Sequence, residues 1–98
     1  MYIVRDVFQT KPGKAKELVK MMKAAIPYFK ESEGGTNYRV MTDIVSDYWT
    51  VVIESEVEDI GDFIGRLRNA TAGKEIQEIM KGYMDLVTGG HREIFILE

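Results

Sequence analysis

The chain has 98 residues, 45% apolar and 30% charged, with a formal charge of -3, no cysteine and one histidine. That size and composition describe one globular domain with a single core. They exclude disulfides, thiolate chemistry, thiolate-held zinc and iron–sulfur clusters, together with any multi-histidine metal site inside one chain. The acidic balance argues against a general nucleic-acid partner, and no apolar run approaches the roughly 20 residues needed to cross a bilayer. A strand pattern begins at Tyr2, which leaves no room for a signal peptide, so the expected location is the cytoplasm.

Tyr2 to Gln9 is rich in β-branched and aromatic residues and reads as a strand, closed by the Lys11-Pro12-Gly13 turn. Ala15, Leu18, Val19, Met22, Ile26 and Phe29 then fall on one helical stripe, with Lys16, Lys20 and Lys23 opposite. Pro27 lacks a backbone donor and predicts a kink or an irregular last turn, and Gly34-Gly35 supplies a left-handed stop. The lysine face, extended by Lys14 and Lys30, reads as solvated. Asn37 to Thr42 and Tyr48 to Glu54 form a predicted hairpin around a loop holding Asp43, Ser46 and Asp47.

Ser55 and Glu58 have the spacing of a capping box, so a second helix is expected to start near residue 56, its acidic first turn explained by capping rather than by a metal. Its stripe is Ile60, Phe63, Ile64 and Leu67. The pattern resumes with Ile76, Ile79, Met80, Tyr83 and Val87 after an interruption from Asn69 to Gly73, which predicts a broken helix or two helices in series. Four glycines lower the helix propensity of this half by about 1 kcal/mol each relative to alanine. Gly89 to Glu98 reads as a final strand interrupted by glycine.

The order β-α-β-β-α-(α)-β predicts an α+β, ferredoxin-like domain spanning residues 1–98, with a four-stranded antiparallel sheet and helices on one face. Tyr2, Val4 and Phe8 alternate with Ile3 and Val7, and Trp49, Val51 and Ile53 alternate with Tyr48 and Val52, so both sheet faces carry apolar residues. A monomer would leave one such face wet; a homodimer with sheets packed face to face would cover it.

Lys11 to Lys14 after the first strand and Gly90 to Phe95 opening the last one give the chain a further mark. It resembles the dimeric α+β-barrel superfamily, whose members include antibiotic biosynthesis monooxygenase-like and NIPSNAP-like proteins. The resemblance implies a pocket between sheet and helices in each protomer. It also implies a range of activities: cofactor-independent oxygenases on aromatic or quinol-like substrates, haem-degrading enzymes, isomerases and proteins without known activity. The first strand has no asparagine and the only histidine precedes a strand, departures that count against the haem-degrading branch. No catalytic set carries over residue by residue.

His91 is the one side chain that titrates near neutrality and is the candidate general base; the competing reading is an exposed loop histidine. Trp49, Tyr83 and Tyr38 are candidates to line an aromatic pocket, against the plainer reading of core residues. Arg5 and Arg39 lie mid-strand, where burial demands partners: Asp6, Glu54 or Glu93 if structural, an anionic ligand group if functional. The sequence thus predicts a homodimeric protein that binds a small apolar, aromatic or quinone-like molecule without a cofactor; whether it is an enzyme stays open, and if it is catalytic the class is a cofactor-independent oxygenase or an isomerase. The alternative is a non-catalytic dimeric module for ligand binding, sensing or assembly.

Overall fold

The computed structural model describes residues 1–69 and 73–98. The elements follow the order β1 (Tyr2–Thr10), α1 (Ala15–Glu33), β2 (Thr36–Thr42), β3 (Thr50–Val57), α2 (Ile60–Asn69), α3 (Lys74–Ile79), a 3₁₀ turn (Tyr83–Asp85) and β4 (Val87–Ile96). All strand pairings are antiparallel, in the spatial order β2-β3-β1-β4. This is the expected ferredoxin-like α+β architecture. None of the described helices is long and apolar enough to cross a membrane.

Register decides which side chains share a face. Val4, Asp6 and Phe8 of β1 point to the same side as Val51, Ile53, Ser55 and Val57 of β3 and as Arg92 of β4. On this inner face Val51 and Ile53 meet Leu18 and Met22 of α1 and Leu86, while Val4 and Val57 meet Phe63 of α2. Leu18, Met22, Val51 and Phe63 are buried almost completely. Each such side chain contributes roughly 1.5–3 kcal/mol through burial, enough to fix both helices on that one face.

Helix α1 runs through Pro27 to Glu33 without ending early, and Gly34, at φ 78°, stops it by donating its N–H to the Lys30 carbonyl at 3.2 Å. That left-handed conformation costs glycine little and other residues about 1–2 kcal/mol.

Several boundaries differ from those read in the sequence. Strand β3 begins at Thr50 rather than Tyr48, because Tyr48 and Trp49 adopt positive φ (62° and 53°) and turn the chain before the ladder starts. The turn is held by Asp43, whose Oδ1 accepts from the Thr50 N–H at 2.9 Å, and by Gln9, whose amide donates to the carbonyls of Asp47 and Tyr48.

The Ser55–Glu58 capping box does not form. β3 continues to Val57 with Ser55 buried on its inner face, and α2 starts at Ile60. Asp59 caps it instead, accepting from the Asp62 N–H at 3.0 Å. Helices α2 and α3 are indeed two in series; of the interruption read at 69–73, residues 70–72 lie outside the described part. Val87, assigned by periodicity to the second helical half, opens β4, which therefore starts two residues before Gly89.

Candidate functional site

Between the inner sheet face and the helices lies a cavity of about 400 Å³, within the range that small-molecule sites occupy. Its apolar wall comes from Phe8 and Ile53 on the sheet, Met22 and Phe29 on α1, and Ile76, Met80 and Tyr83 on the segment from α3 to the 3₁₀ turn. Phe8 and Tyr83 meet edge to face with ring centroids 6.4 Å apart, and Phe29 and Tyr38 are stacked at the same separation. These are ordinary separations for aromatic pairs, and they fix the ring planes lining the space.

Polar groups gather at one end. Arg92 on β4 lies directly opposite Asp6 on β1, and its Nε and Nη2 donate to Asp6 Oδ1 and Oδ2 at 2.5 and 3.2 Å. This two-point pairing fixes the guanidinium plane, and the bond to Asp6 strengthens Arg92's hold on its proton. Glu33 enters from the last turn of α1 and accepts a hydrogen bond from the Tyr38 hydroxyl at 3.1 Å; the same hydroxyl reaches the Phe29 carbonyl at 3.4 Å.

Burial pushes the Glu33 carboxyl above its ordinary value, with Asp6 adding to the rise and Tyr38 and Arg92 opposing it. The Tyr38 hydroxyl is pushed up as well, by burial first and then by the Glu33 charge. Ser55 completes the polar corner. The corner therefore holds an oriented cation, a carboxyl poised to bind a proton, and two hydroxyls.

The residues singled out in the sequence fall in three places. Tyr38 and Tyr83 line the cavity. Arg5, Arg39 and His91 lie on the opposite, outer sheet face. There Glu54 sits between both arginines, 3.1 Å from Arg5 Nε and accepting from Arg39 Nε at 2.8 Å. The Arg5 contact is ionic rather than a well-directed hydrogen bond, since its Nε is buried without one. Arg5 also lies 3.9 Å from Glu93, which in turn contacts His91 Nε2 at 3.1 Å. Trp49 stands apart from both groups, 45% exposed in the turn before β3 and close to Val19 and Lys16 of α1. Cavity and histidine are thus separated by the sheet.

Sequence reasoning missed Asp6, Glu33, Ser55 and Arg92 as site residues, although a signal was present. Glu33 falls on the helical stripe of Leu18, Met22, Ile26 and Phe29, Asp6 alternates with Val4 and Phe8, and Ser55 alternates with Ile53 and Val57. A polar residue in register with an apolar face must find partners or line a cavity.

No protein-family model matches the chain, and no curated protein matches it in sequence. Solved structures do match it in shape. A NIPSNAP family protein from Agrobacterium tumefaciens superposes with a TM-score of 0.75 at 19% identity, over 100% of this chain and 94% of that one. A NIPSNAP domain protein from Burkholderia xenovorans gives 0.80 at 12% identity, over 100% and 95%. A candidate antibiotic biosynthesis monooxygenase from Deinococcus radiodurans gives 0.70 at 16% identity, over 100% and 93%.

The fold is that of the NIPSNAP and antibiotic biosynthesis monooxygenase-like proteins. At these identities the likeness shows the architecture alone. The Asp6–Arg92 and Glu33–Tyr38 pairs are read from this chain alone.

Proposed function

We propose that the protein is a cytoplasmic homodimer that binds a small, largely apolar, aromatic or quinone-like molecule in the cavity beneath its helices, and that it acts there as an enzyme of the oxygenase or isomerase class. The observation that carries this reading is the cavity itself: apolar and aromatic over most of its wall, with Tyr83 part of that wall, and polar at one end. A structural module would be expected to fill that space with its own side chains, because interiors pack to crystal density. The polar corner would fix the ligand's oxygen while the aromatic wall takes up its rings.

Native mass spectrometry of gently purified protein, followed by titration with 2-naphthol as a bicyclic probe, tests this proposal. A dimer that carries an added small mass, or that shows a saturable rise in Tm with 2-naphthol, supports it. A monomer with neither retained mass nor a saturable response overturns it.

A further inference from the structure

The polar corner contains the two parts that proton abstraction from carbon requires. One is a donor on the cavity wall, able to meet negative charge as it develops there. Asp6 engages Nε and Nη2 of Arg92, and Nη1 makes no hydrogen bond among the described residues. A guanidinium locked by a two-point pair on one edge offers its remaining nitrogen in a fixed direction, so little reorganisation is needed when an oxyanion forms. The other part is a base. Glu33 is the carboxylate of this corner with no cation in ion-pair contact among the described residues, held instead by the Tyr38 hydroxyl at 3.1 Å. It is only half-buried, so its proton can exchange with solvent.

Resting on the binding reading above, the geometry points to a proton-transfer site for enolisable carbonyl compounds with an aromatic or apolar body, in which Glu33 is the base and Arg92 holds the enolate oxygen. The step is redox-neutral. A C–H bond beside the carbonyl breaks and its proton passes to a Glu33 carboxylate oxygen. Its electron pair forms the enolate C=C as the carbonyl π pair moves onto the oxygen that Arg92 Nη1 contacts. Return of the proton to the same carbon gives exchange; return further along a conjugated chain gives a double-bond isomer. Burial tunes Glu33 toward this task by raising its proton affinity, and the facing groups Asp6, Arg92 and Tyr38 set how far.

The probe is 2-tetralone, a bicyclic ketone whose benzylic C–H lies beside its carbonyl and whose enol has the shape of 2-naphthol. Deuterium uptake at that carbon is followed by proton NMR in D2O, with saturation-transfer NMR reporting binding in the same tube. Wild-type protein accelerates uptake, 2-naphthol competes, and Glu33→Gln loses the acceleration by about a hundredfold or more while still binding the ketone. Tyr38→Phe removes a bond that holds Glu33's proton affinity down, so its uptake-versus-pH curve moves to higher pH. A merely structural role for Tyr38 would not produce that shift.

Binding without acceleration, or acceleration unchanged in Glu33→Gln, overturns the proton-transfer assignment and leaves the binding reading standing. Absence of binding by both 2-tetralone and 2-naphthol overturns both.

Discussion

Glu33 shows how one side chain can link a site to the stability of the whole chain. In the unfolded protein its carboxyl titrates near the ordinary value of 4.5; in the folded protein burial raises that value. The folded state therefore binds the Glu33 proton more tightly, and stability falls as pH rises through the interval between the two values. Glu33→Gln removes this contribution while keeping an oxygen that the Tyr38 hydroxyl can donate to. Urea denaturation across the weakly acidic to neutral range should show the variant matching the wild type at the acid end and exceeding it at neutral pH. A wild-type curve parallel to that of the variant would disprove the burial of a titrating carboxyl here. A gain in stability accompanied by loss of catalysed exchange is the signature of a residue retained for chemistry at a thermodynamic cost.

At the scale of elements, periodicity located the described strands and helices but misplaced several ends, and the structure shows what moved them. Tyr48 and Trp49 have strong strand propensity, yet Asp43 and Gln9 hold them in a left-handed turn. Ser55 has the chemistry of a cap, yet inner-face pairing keeps it in β3 and leaves the cap to Asp59. Such outcomes depend on contacts between residues distant in sequence, which spacing alone does not encode. The cavity was legible only by halves: Tyr38 and Tyr83 announced themselves as aromatics, whereas Asp6 was read only as a possible partner for a mid-strand arginine and Glu33 and Arg92 were not singled out, until strand register and the packing of α1 placed all three inward. Gly90 was legible as an interruption, and the structure supplies the reason. A Cβ at that position would lie 2.5 Å from the Val7 carbonyl oxygen of the neighbouring strand, a backbone atom that cannot step aside. Gly90→Ala should therefore spread β1 from β4 and cost about 2–3 kcal/mol, with faster amide exchange along Val87–Ile96 than along β3. Unchanged urea stability would show that the two strands have more freedom than their register implies.

The whole molecule is a slab of 36 × 35 × 19 Å, one sheet with the described helices on one side and the other side uncovered. Ile3, Val7, Met41 and Val52 share that outer face, each half-buried, and Phe95 of β4 is 50% exposed beside Ile3. Among them Arg5 and Arg39 share Glu54, His91 Nε2 lies 3.1 Å from Glu93, and Glu56 accepts from the Asn37 amide at 3.0 Å, so packing against another apolar surface would leave each of these groups with a polar contact. A second copy presents the same surface, and a two-fold axis through the sheet centre would bring Val7 and Val52 of each protomer toward their counterparts. Helices and cavities would then lie on the outside of the dimer, one site per protomer, with His91 at the interface and remote from the proposed chemistry. Val52→Lys places a charge at the middle of that face without touching the inner core. The variant should sediment as a monomer at micromolar concentration, retain the wild-type circular dichroism spectrum, and still bind 2-naphthol in its cavity. A wild-type protein that is itself monomeric under those conditions would refute the face-to-face dimer. A Val52→Lys variant that remained dimeric would move the interface elsewhere, to the exposed turn of Ile44, Val45 and Tyr48 as the next apolar surface.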